Sequence, residues 1–159
     1  MRQVRIEKYK PAFKSFFKSL NQRWIEAYFK MEEADHIALN DPEGKVLSKG
    51  GEILFALVDE AVVGVCALVK LDASIPYDFE LSKMGVDPAY QGLGIGYKLG
   101  QAIVDLATEL GGKTLYIESN TILTPAMHLY EKLGFKEIEG KDSPYARCNI
   151  YFLKHLSSD

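Results

Sequence analysis

Cysteine and histidine, which often carry disulfides or metals, are scarce in this chain. It has two cysteines, Cys66 and Cys148, and three histidines, His36, His128 and His155. Both cysteines lie in apolar, strand-like segments, which predicts two core thiols in a reducing, cytoplasmic compartment rather than a disulfide. Neither has a neighbouring cue for thiolate activation, so a covalent cysteine mechanism is not expected. The histidines lack the spacing of metal ligands, so no metal site is expected.

The chain also lacks an excess of positive charge and any long apolar run. Its net charge of −3 gives no general electrostatic attraction to nucleic acid or to an anionic membrane, and neither is expected as a partner. No run approaches the length of about 18 apolar residues that a spanning helix needs, and the N-terminal MRQVRIEKYK lacks the apolar core of a signal peptide. The 159 residues fit one domain, 1–159, with no linker.

What the chain does contain is a mixed pattern of strands and helices. Alternating or β-branched runs predict strands, and apolar residues three and four apart predict helices. The predicted strands are 4–6, 53–58, 61–69, 80–86, 114–118, 135–138 and 146–153. The predicted helices are 11–29, broken near Asn21, then 95–110, and a third with Thr124 as N-cap, Pro125 at its first helical position and Gly134 at its end. Residues 31–51, 71–78 and 141–144 are predicted loops, the first with a turn at 41–44.

One stretch, ELSKMGVDPAYQGLGIG at residues 80–96, stands out for its glycines. It predicts a strand, an Asp-Pro connection and a glycine-rich loop that runs directly into the helix 95–110. Gly92, Gly94 and Gly96 leave backbone N–H groups uncovered beside the positive end of the helix dipole. The loop is therefore predicted to bind a phosphate or pyrophosphate.

Two other phosphate-binding motifs do not fit this loop. A P-loop needs G-x-x-x-x-G-K-[ST], and no Lys-Ser or Lys-Thr pair follows these glycines. A dinucleotide fingerprint needs G-x-G-x-x-G, but the third position is Tyr97 or Leu99 in the two possible frames. The pattern that fits is Q-x-x-G-x-G, formed by Gln91, Gly94 and Gly96.

Together with the preceding V-x-P of Val86 and Pro88, this pattern resembles the acyl-CoA pyrophosphate loop of the GNAT superfamily of N-acetyltransferases. A second block, PAMHLYEKLGF at 125–135, resembles the later motif A-x-x-L-Y-x-K-x-G-F of the same superfamily. The two blocks have the expected order and separation and cover about a third of the chain. One position departs from the family: where an asparagine often precedes the motif alanine by three residues, this chain has Leu123, with Asn120 further upstream.

The resemblance implies a fold and a cofactor. The fold would be an α/β (α+β) domain with a mostly antiparallel sheet, helices on both faces and a central parallel strand pair that splays apart. The donor would be acetyl-CoA, with its arm between the splayed strands. Met84 and Val86 would offer backbone N–H groups to the arm and to the thioester carbonyl. The pyrophosphate would lie on the loop formed by Gln91, Gly92, Leu93, Gly94, Ile95 and Gly96.

The resemblance also implies two proton-handling residues. Glu80 stands eleven residues before Gln91, where some family members supply the general base. Tyr130 matches the tyrosine of L-Y-x-K-x-G-F, which resembles the proton donor to the leaving thiolate. The alternatives are a surface carboxylate at a strand start for Glu80 and a packing aromatic for Tyr130.

The implied function is direct acetyl transfer from acetyl-CoA to a primary amine in a ternary complex. The alternative is a non-catalytic acyl-CoA sensor. The acceptor, a small molecule or a peptide, is not identified by any motif. Aromatic residues of helix 11–29 pack on the sheet or line the acceptor pocket, and Arg147 with Tyr145 could grip a substrate carboxylate. The oligomeric state is also open, with a homodimer as one alternative.

Overall fold

Seven strands form one sheet in the computed structural model, which describes residues 3–140 and 143–157. The strands are β1 (Val4–Lys8), β2 (Glu52–Val58), β3 (Ala61–Lys70), β4 (Phe79–Val86), β5 (Thr114–Ser119), β6 (Lys136–Ile138) and β7 (Ile150–His155). Their order is β1-β2-β3-β4-β5-β7-β6. All neighbours are antiparallel except β4 and β5, which form the predicted central parallel pair.

Among the described residues, five α-helices cover the two faces of the sheet. They are α1 (Lys14–Tyr28), α2 (Glu33–Asn40), α3 (Pro42–Lys45), α4 (Ile95–Glu109) and α5 (Thr124–Lys132). One core holds α1 and α2 against the sheet, and the other holds α4 and α5 against the opposite face. Helix α4 illustrates why the pattern works: Ile95, Leu99, Ile103 and Ala107 recur every four residues and are buried. The predicted fold class is confirmed.

Three details of the predicted elements are wrong. Helix α1 is not broken at Asn21, because this buried side chain donates a hydrogen bond to the carbonyl of Phe17, one turn earlier, and so fits inside the helix. The predicted loop 31–51 contains α2 and α3. The last strand starts at Ile150 rather than at 146, because the preceding segment is tied to α2 by side-chain bonds.

The third helix begins one residue from its predicted boundary. Leu123 holds the N-cap position, Thr124 is the first helical residue, and Pro125 is the second rather than the first. Of the predicted loop 141–144, residues 141 and 142 lie outside the described residues.

Strand β4 carries a bulge that decides which side chains reach the α1 face. The pairing with β3 shifts so that Lys83 and Met84 together oppose one residue, and Lys83 has a φ of +54°. Before the bulge, Phe79 and Leu81 point into the α4 core. Without it, the period of two would send Lys83 into the same core. The extra residue turns Lys83 to the α1 and α2 side.

Candidate active site

A cavity of about 630 Å³ lies where β4 and β5 diverge. The two strands pair only at Phe79 with Leu115 and at Glu80 with Tyr116. Beyond these pairs the cavity occupies the gap, and its walls come from α1, β4, the glycine loop, the end of β5, α5 and the segment before β7. One continuous space therefore connects the start of α4 to the face covered by α1.

The glycine loop has the shape that a phosphate group requires. Gly92 and Gly94 have φ values of +87° and +72°, and a Cβ on either would meet open space. Such φ values favour glycine, and the open space lies at the start of α4, whose first N–H groups have no partner within the helix. Gly96 is packed differently, since its Cβ would lie 3.4 Å from Leu129. The loop therefore fits a pyrophosphate.

The other predicted cofactor residues border this space to different degrees. Gln91, Gly92, Gly94, Ile95 and Gly96 line the cavity. The side chains of Leu93 and Ile95 also pack against the α4 core, which leaves only their backbones for the donor.

Met84 and Val86 line the same cavity from β4. Their side chains pack against the α4 core. The use of their N–H groups by acetyl-CoA stays a prediction.

Two carboxylates reach the cavity from the diverging strands. Glu80 pairs with Tyr116, and Glu118 lies two residues further along β5 on the same face as Tyr116. Burial, and secondarily the charge of Glu118, raise the pKa of Glu80 to about 8, while Lys83 acts in the opposite direction.

Glu118 accepts one hydrogen bond on each oxygen. The hydroxyl of Tyr116 donates to Oε2 at 2.9 Å and that of Ser143 to Oε1 at 2.7 Å. Both donors are neutral hydroxyl groups, so Glu118 has hydrogen-bond partners here without forming an ion pair with them.

Tyr130 is buried beneath the cavity at the end of α5. It is 8% exposed, and its ring packs against Phe135 and Phe152 with centroid distances of 6.2 and 5.3 Å. Burial raises the pKa of Tyr130 to about 12, although a hydrogen bond with Ser119 acts in the opposite direction. Both residues line the cavity, so a buried aromatic also presents its hydroxyl group at the site.

A buried ion network closes the α1 side of the cavity. Asp35 is fully buried and accepts from Arg147 through two bonds of 2.6 and 2.7 Å, from Lys83 at 2.9 Å and from the Glu32 backbone at 2.9 Å. Burial alone would raise the pKa of Asp35, but the bonds from Arg147, Glu32 and Lys83 hold it well below its ordinary value. Lys83 also donates to Tyr145 at 2.8 Å.

This network changes the interpretation of Arg147. The sequence suggested that Arg147 and Tyr145 grip a substrate carboxylate. Arg147 does line the cavity, but both of its terminal nitrogens are bonded to Asp35, with Glu32 at 3.5 Å. Asn120 is likewise engaged, since it donates to the Arg147 carbonyl at 2.7 Å and accepts from the Ile122 backbone at 2.9 Å.

The aromatics of α1 divide between the two predicted roles. Phe13, just before the helix, and Phe17 are buried against the sheet. Trp24, Tyr28 and Phe29, at its carboxyl end, line the cavity.

Sequence reasoning missed Asp35 and Glu118. Glu118 had a usable signal, since it shares a strand face with Tyr116 at the carboxyl end of a central parallel strand. Asp35 had none, because its partners Lys83 and Arg147 are 48 and 112 residues away in sequence.

Within residues 3–140 and 143–157, no group of three or more metal-ligating side chains is close enough to hold an ion. In the same part of the chain, none of the helices combines the length and apolarity required to span a bilayer.

Comparison with known proteins identifies close relatives of this architecture. The sequence profile of the Acetyltransferase (GNAT) family matches residues 13–135. The N-alpha-acetyltransferase RimI of Mycobacterium tuberculosis is 36% identical over 101 residues, which are 62% of this chain and 61% of that protein. The [ribosomal protein bS18]-alanine N-acetyltransferase of Escherichia coli is 39% identical over 121 residues, 75% of this chain and 79% of that protein.

A solved structure shows the same fold over nearly the whole chain. The acetyltransferase of the GNAT family from Staphylococcus aureus Mu50 superposes with a TM-score of 0.85 at 24% identity, covering 98% of this chain and all of that one. At this identity the likeness concerns the fold alone.

Proposed function

Because this chain belongs to the Acetyltransferase (GNAT) family, which uses acetyl-CoA, we propose that it is an N-acetyltransferase that moves the acetyl group directly to an amine in a ternary complex. The observation that carries this proposal is the single cavity that joins the glycine loop to Glu80, Glu118 and Tyr130. Donor and acceptor would enter from opposite faces of the sheet and meet between β4 and β5.

The glycine loop would hold the donor. Backbone N–H groups at Gly92, Gly94 and the start of α4 would bind the pyrophosphate, in the open space where neither glycine carries a Cβ. Acetyl-CoA supplies the activated acetyl group when it is bound. The Met84 N–H would donate to the thioester carbonyl, a contribution typically worth about 10²–10³-fold in rate.

Glu80 would accept the proton that the acceptor amine must lose. A primary amine with a pKa near 10.4 is mostly charged at pH 7, and the neutral form costs about 4.6 kcal/mol. A positioned base recovers part of this, typically about 10²–10⁴-fold in rate. A pKa of about 8 for Glu80 lies between those of an ordinary carboxylic acid and the amine, so the proton transfer is less unfavourable than to an ordinary carboxylate.

Glu118 would hold the ammonium form beside Glu80 before this transfer. Its two oxygens keep lone pairs beyond those used by Tyr116 and Ser143.

Tyr130 would complete the reaction by giving its proton to the departing sulfur. With a pKa of about 12 the phenol stays protonated at neutral pH and is available as a donor. Ser119, the last residue of β5, would orient the hydroxyl.

We also propose a cytoplasmic location, because Cys66 and Cys148 are both free thiols, as expected in a reducing compartment. Peptide N-termini are the first acceptors to test, since two relatives carry names that specify an α-amine or a ribosomal-protein alanine.

The proposal is tested by measuring thiol release from acetyl-CoA with a panel of peptides and small amines, alongside calorimetry with acetyl-CoA alone. We expect binding without an acceptor and thiol release only with one. Binding with no turnover on any amine would instead identify an acyl-CoA sensor. No binding would contradict both functions.

A further inference from the structure

The charges on the acceptor side of the cavity do not cancel evenly. Lys83 and Arg147 are the two cations there, and Asp35 and Glu32 are their counter-ions. These four groups form one closed set with no formal net charge. Glu80 and Glu118 are left over and face the same space.

The two cations are engaged in ways that a ligand could not easily undo. Arg147 makes a two-pronged contact with the fully buried Asp35, and its guanidinium lies 4.5 Å from the ring centre of Tyr145 and 5.8 Å from those of Trp24 and Phe29. Lys83 is 7% exposed, bonded to Asp35, and 4.2 Å from the ring centre of Tyr145. Drawing either cation toward a ligand would leave Asp35 buried with an uncompensated charge.

Lys132 and His128 lie on the donor side of the cavity. The Lys132 ammonium lies 4.4 Å from the ring centre of Tyr97, in the first turn of α4, and His128 lines the wall from α5. Among the described residues that line the acceptor side, the remaining unbalanced charge is therefore negative.

We infer that the acceptor is a cationic amine with no carboxylate beside the reacting nitrogen, because, among the described residues that line the acceptor side, the acidic side chains of Glu80 and Glu118 stand outside that set of ion pairs and face the cavity. This inference rests on the proposed acetyl transfer. The ammonium group would lie between the two carboxylates, with the aromatic residues of α1 against the rest of the molecule. A carboxylate next to the nitrogen would face these like charges, which costs enough to reduce kcat/KM by about 100-fold or more.

Matched substrate pairs test the inference on the unmodified protein. Each pair differs by one carboxylate: lysine and cadaverine, arginine and agmatine, alanine and alaninamide. The value of kcat/KM should be expressed per neutral amine, because the carboxylate also changes the pKa of the neighbouring ammonium group. We expect the member without the carboxylate to be preferred by about 100-fold or more in every pair that is acetylated.

Asp35→Asn provides a second test, because this variant should weaken the preference for substrates without a carboxylate. Without this carboxylate, the guanidinium group of Arg147 is free to bind a substrate carboxylate. The ratio of kcat/KM between the two members of each pair should therefore shrink at least tenfold. Glu33→Gln removes a charge from the exposed side of the same helix and should leave the preference unchanged. If Asp35→Asn does not fold, the substrate pairs measured on the unmodified protein still test the inference.

The possible outcomes separate the two proposals. Preference for the members without a carboxylate supports the inference. Equal or better turnover of the free amino acids overturns it while leaving N-acetyl transfer intact. If no amine tested causes thiol release, the proposed function is overturned and the inference with it.

Discussion

Glu80 and Glu118 show how one functional group acquires different properties from its surroundings. Glu80 is half-buried, and burial, with a smaller effect from the charge of Glu118, raises its pKa to about 8. Glu118 receives two hydroxyl donors, from Tyr116 and Ser143. Pairs of acidic groups with such different environments mark acid–base sites. We therefore assign proton acceptance to Glu80 and ammonium binding to Glu118.

Glu80→Gln should change the pH dependence of the reaction. In the wild type, kcat/KM should rise as Glu80 ionises near pH 8. The glutamine variant loses this base, so at pH 7–8 its rate should be lower by about 10²-fold or more, and the deficit should narrow toward pH 10 as the amine deprotonates unaided. A pH–rate profile of both proteins measures this. Coincident profiles would assign the proton to Glu118 or to water.

Tyr130→Phe should lower kcat by about 10²-fold or more at every pH while leaving the affinity for acetyl-CoA nearly unchanged, because the ring stays and only the donor is lost. Tyr9→Phe is the matched control, since it removes a hydroxyl bonded to Glu43 away from the cavity. Single-turnover rates and calorimetry give the two quantities. Full kcat in Tyr130→Phe would leave this residue as a packing aromatic.

At the scale of elements, the glycine loop allows a test of donor binding with a control inside the same helix unit. Gly94 and Gly111 flank α4, have φ values of +72° and +84°, and would each place a Cβ in open space. Alanine at either should therefore cost a similar amount of stability, about 1–2 kcal/mol. Only Gly94 lies on the proposed pyrophosphate loop.

We expect CoA at about 100 times its Kd to stabilise the wild type and Gly111→Ala by about 2.7 kcal/mol, and to stabilise Gly94→Ala far less. Thermal unfolding with and without CoA measures this. Equal stabilisation of the two variants would place the pyrophosphate elsewhere.

The ion network joins α2 to the segment before β7 and should matter to stability as a unit. Arg147→Met leaves Asp35 buried with Lys83 as its remaining side-chain counter-ion, so we expect a loss of about 3 kcal/mol in the free energy of unfolding. Arg23→Met removes an exposed partner of Asp87 at 3.2 Å and should cost less than about 1 kcal/mol. Urea titrations compare them. Equal losses of unfolding free energy in the two variants would show that the buried ion pair of Arg147 with Asp35 contributes no more to stability than the exposed pair of Arg23 with Asp87.

The elements that the sequence predicted well are those whose signals are local. Helix α4 has a four-residue apolar repeat, and the glycine loop has its φ values fixed by residue type. Helix α2 escaped prediction because it has only two large apolar side chains, Ile37 and Leu39, and Ile37 is exposed. Its buried Asp35 resembles a surface residue as long as its distant partners are not known. The bulge at Lys83 escaped for a similar reason, since lysine gives no sign of a positive φ.

The cavity was only partly predictable for the same reason. Its donor half consists of one contiguous segment with a motif. Its acceptor half is assembled from α1, β4, β5 and the segment before β7, so it exists only after the chain has folded. The charge balance that restricts the acceptor thus depends on tertiary contacts.

For the whole molecule, two carboxylates on the acceptor side, Asp35 and Glu80, should have opposite effects on the pH dependence of stability. Asp35 has a lowered pKa, so its contribution is present above the ordinary pKa of 3.8 and is lost as the pH falls below it. Glu80 has a raised pKa, so its contribution is present below 4.5 and is lost as the pH rises through about 8. Of these two residues, Glu80 therefore makes the larger contribution to the change in the free energy of unfolding between pH 5 and pH 9.

Glu80→Gln isolates this contribution, because the amide does not titrate. A pKa of about 8 in place of 4.5 corresponds to about 4.8 kcal/mol for a group removed from solvent. Glu80 is only half-buried, so we expect the ligand-free wild type to lose about 2 kcal/mol relative to Glu80→Gln between pH 5 and pH 9. Urea unfolding at both pH values measures the change, and the exposed Glu109→Gln should show none. If the difference in the free energy of unfolding between the wild type and Glu80→Gln stays constant across this range, Glu80 is ionised in the folded protein at neutral pH. It would then accept the amine proton as a carboxylate of ordinary pKa.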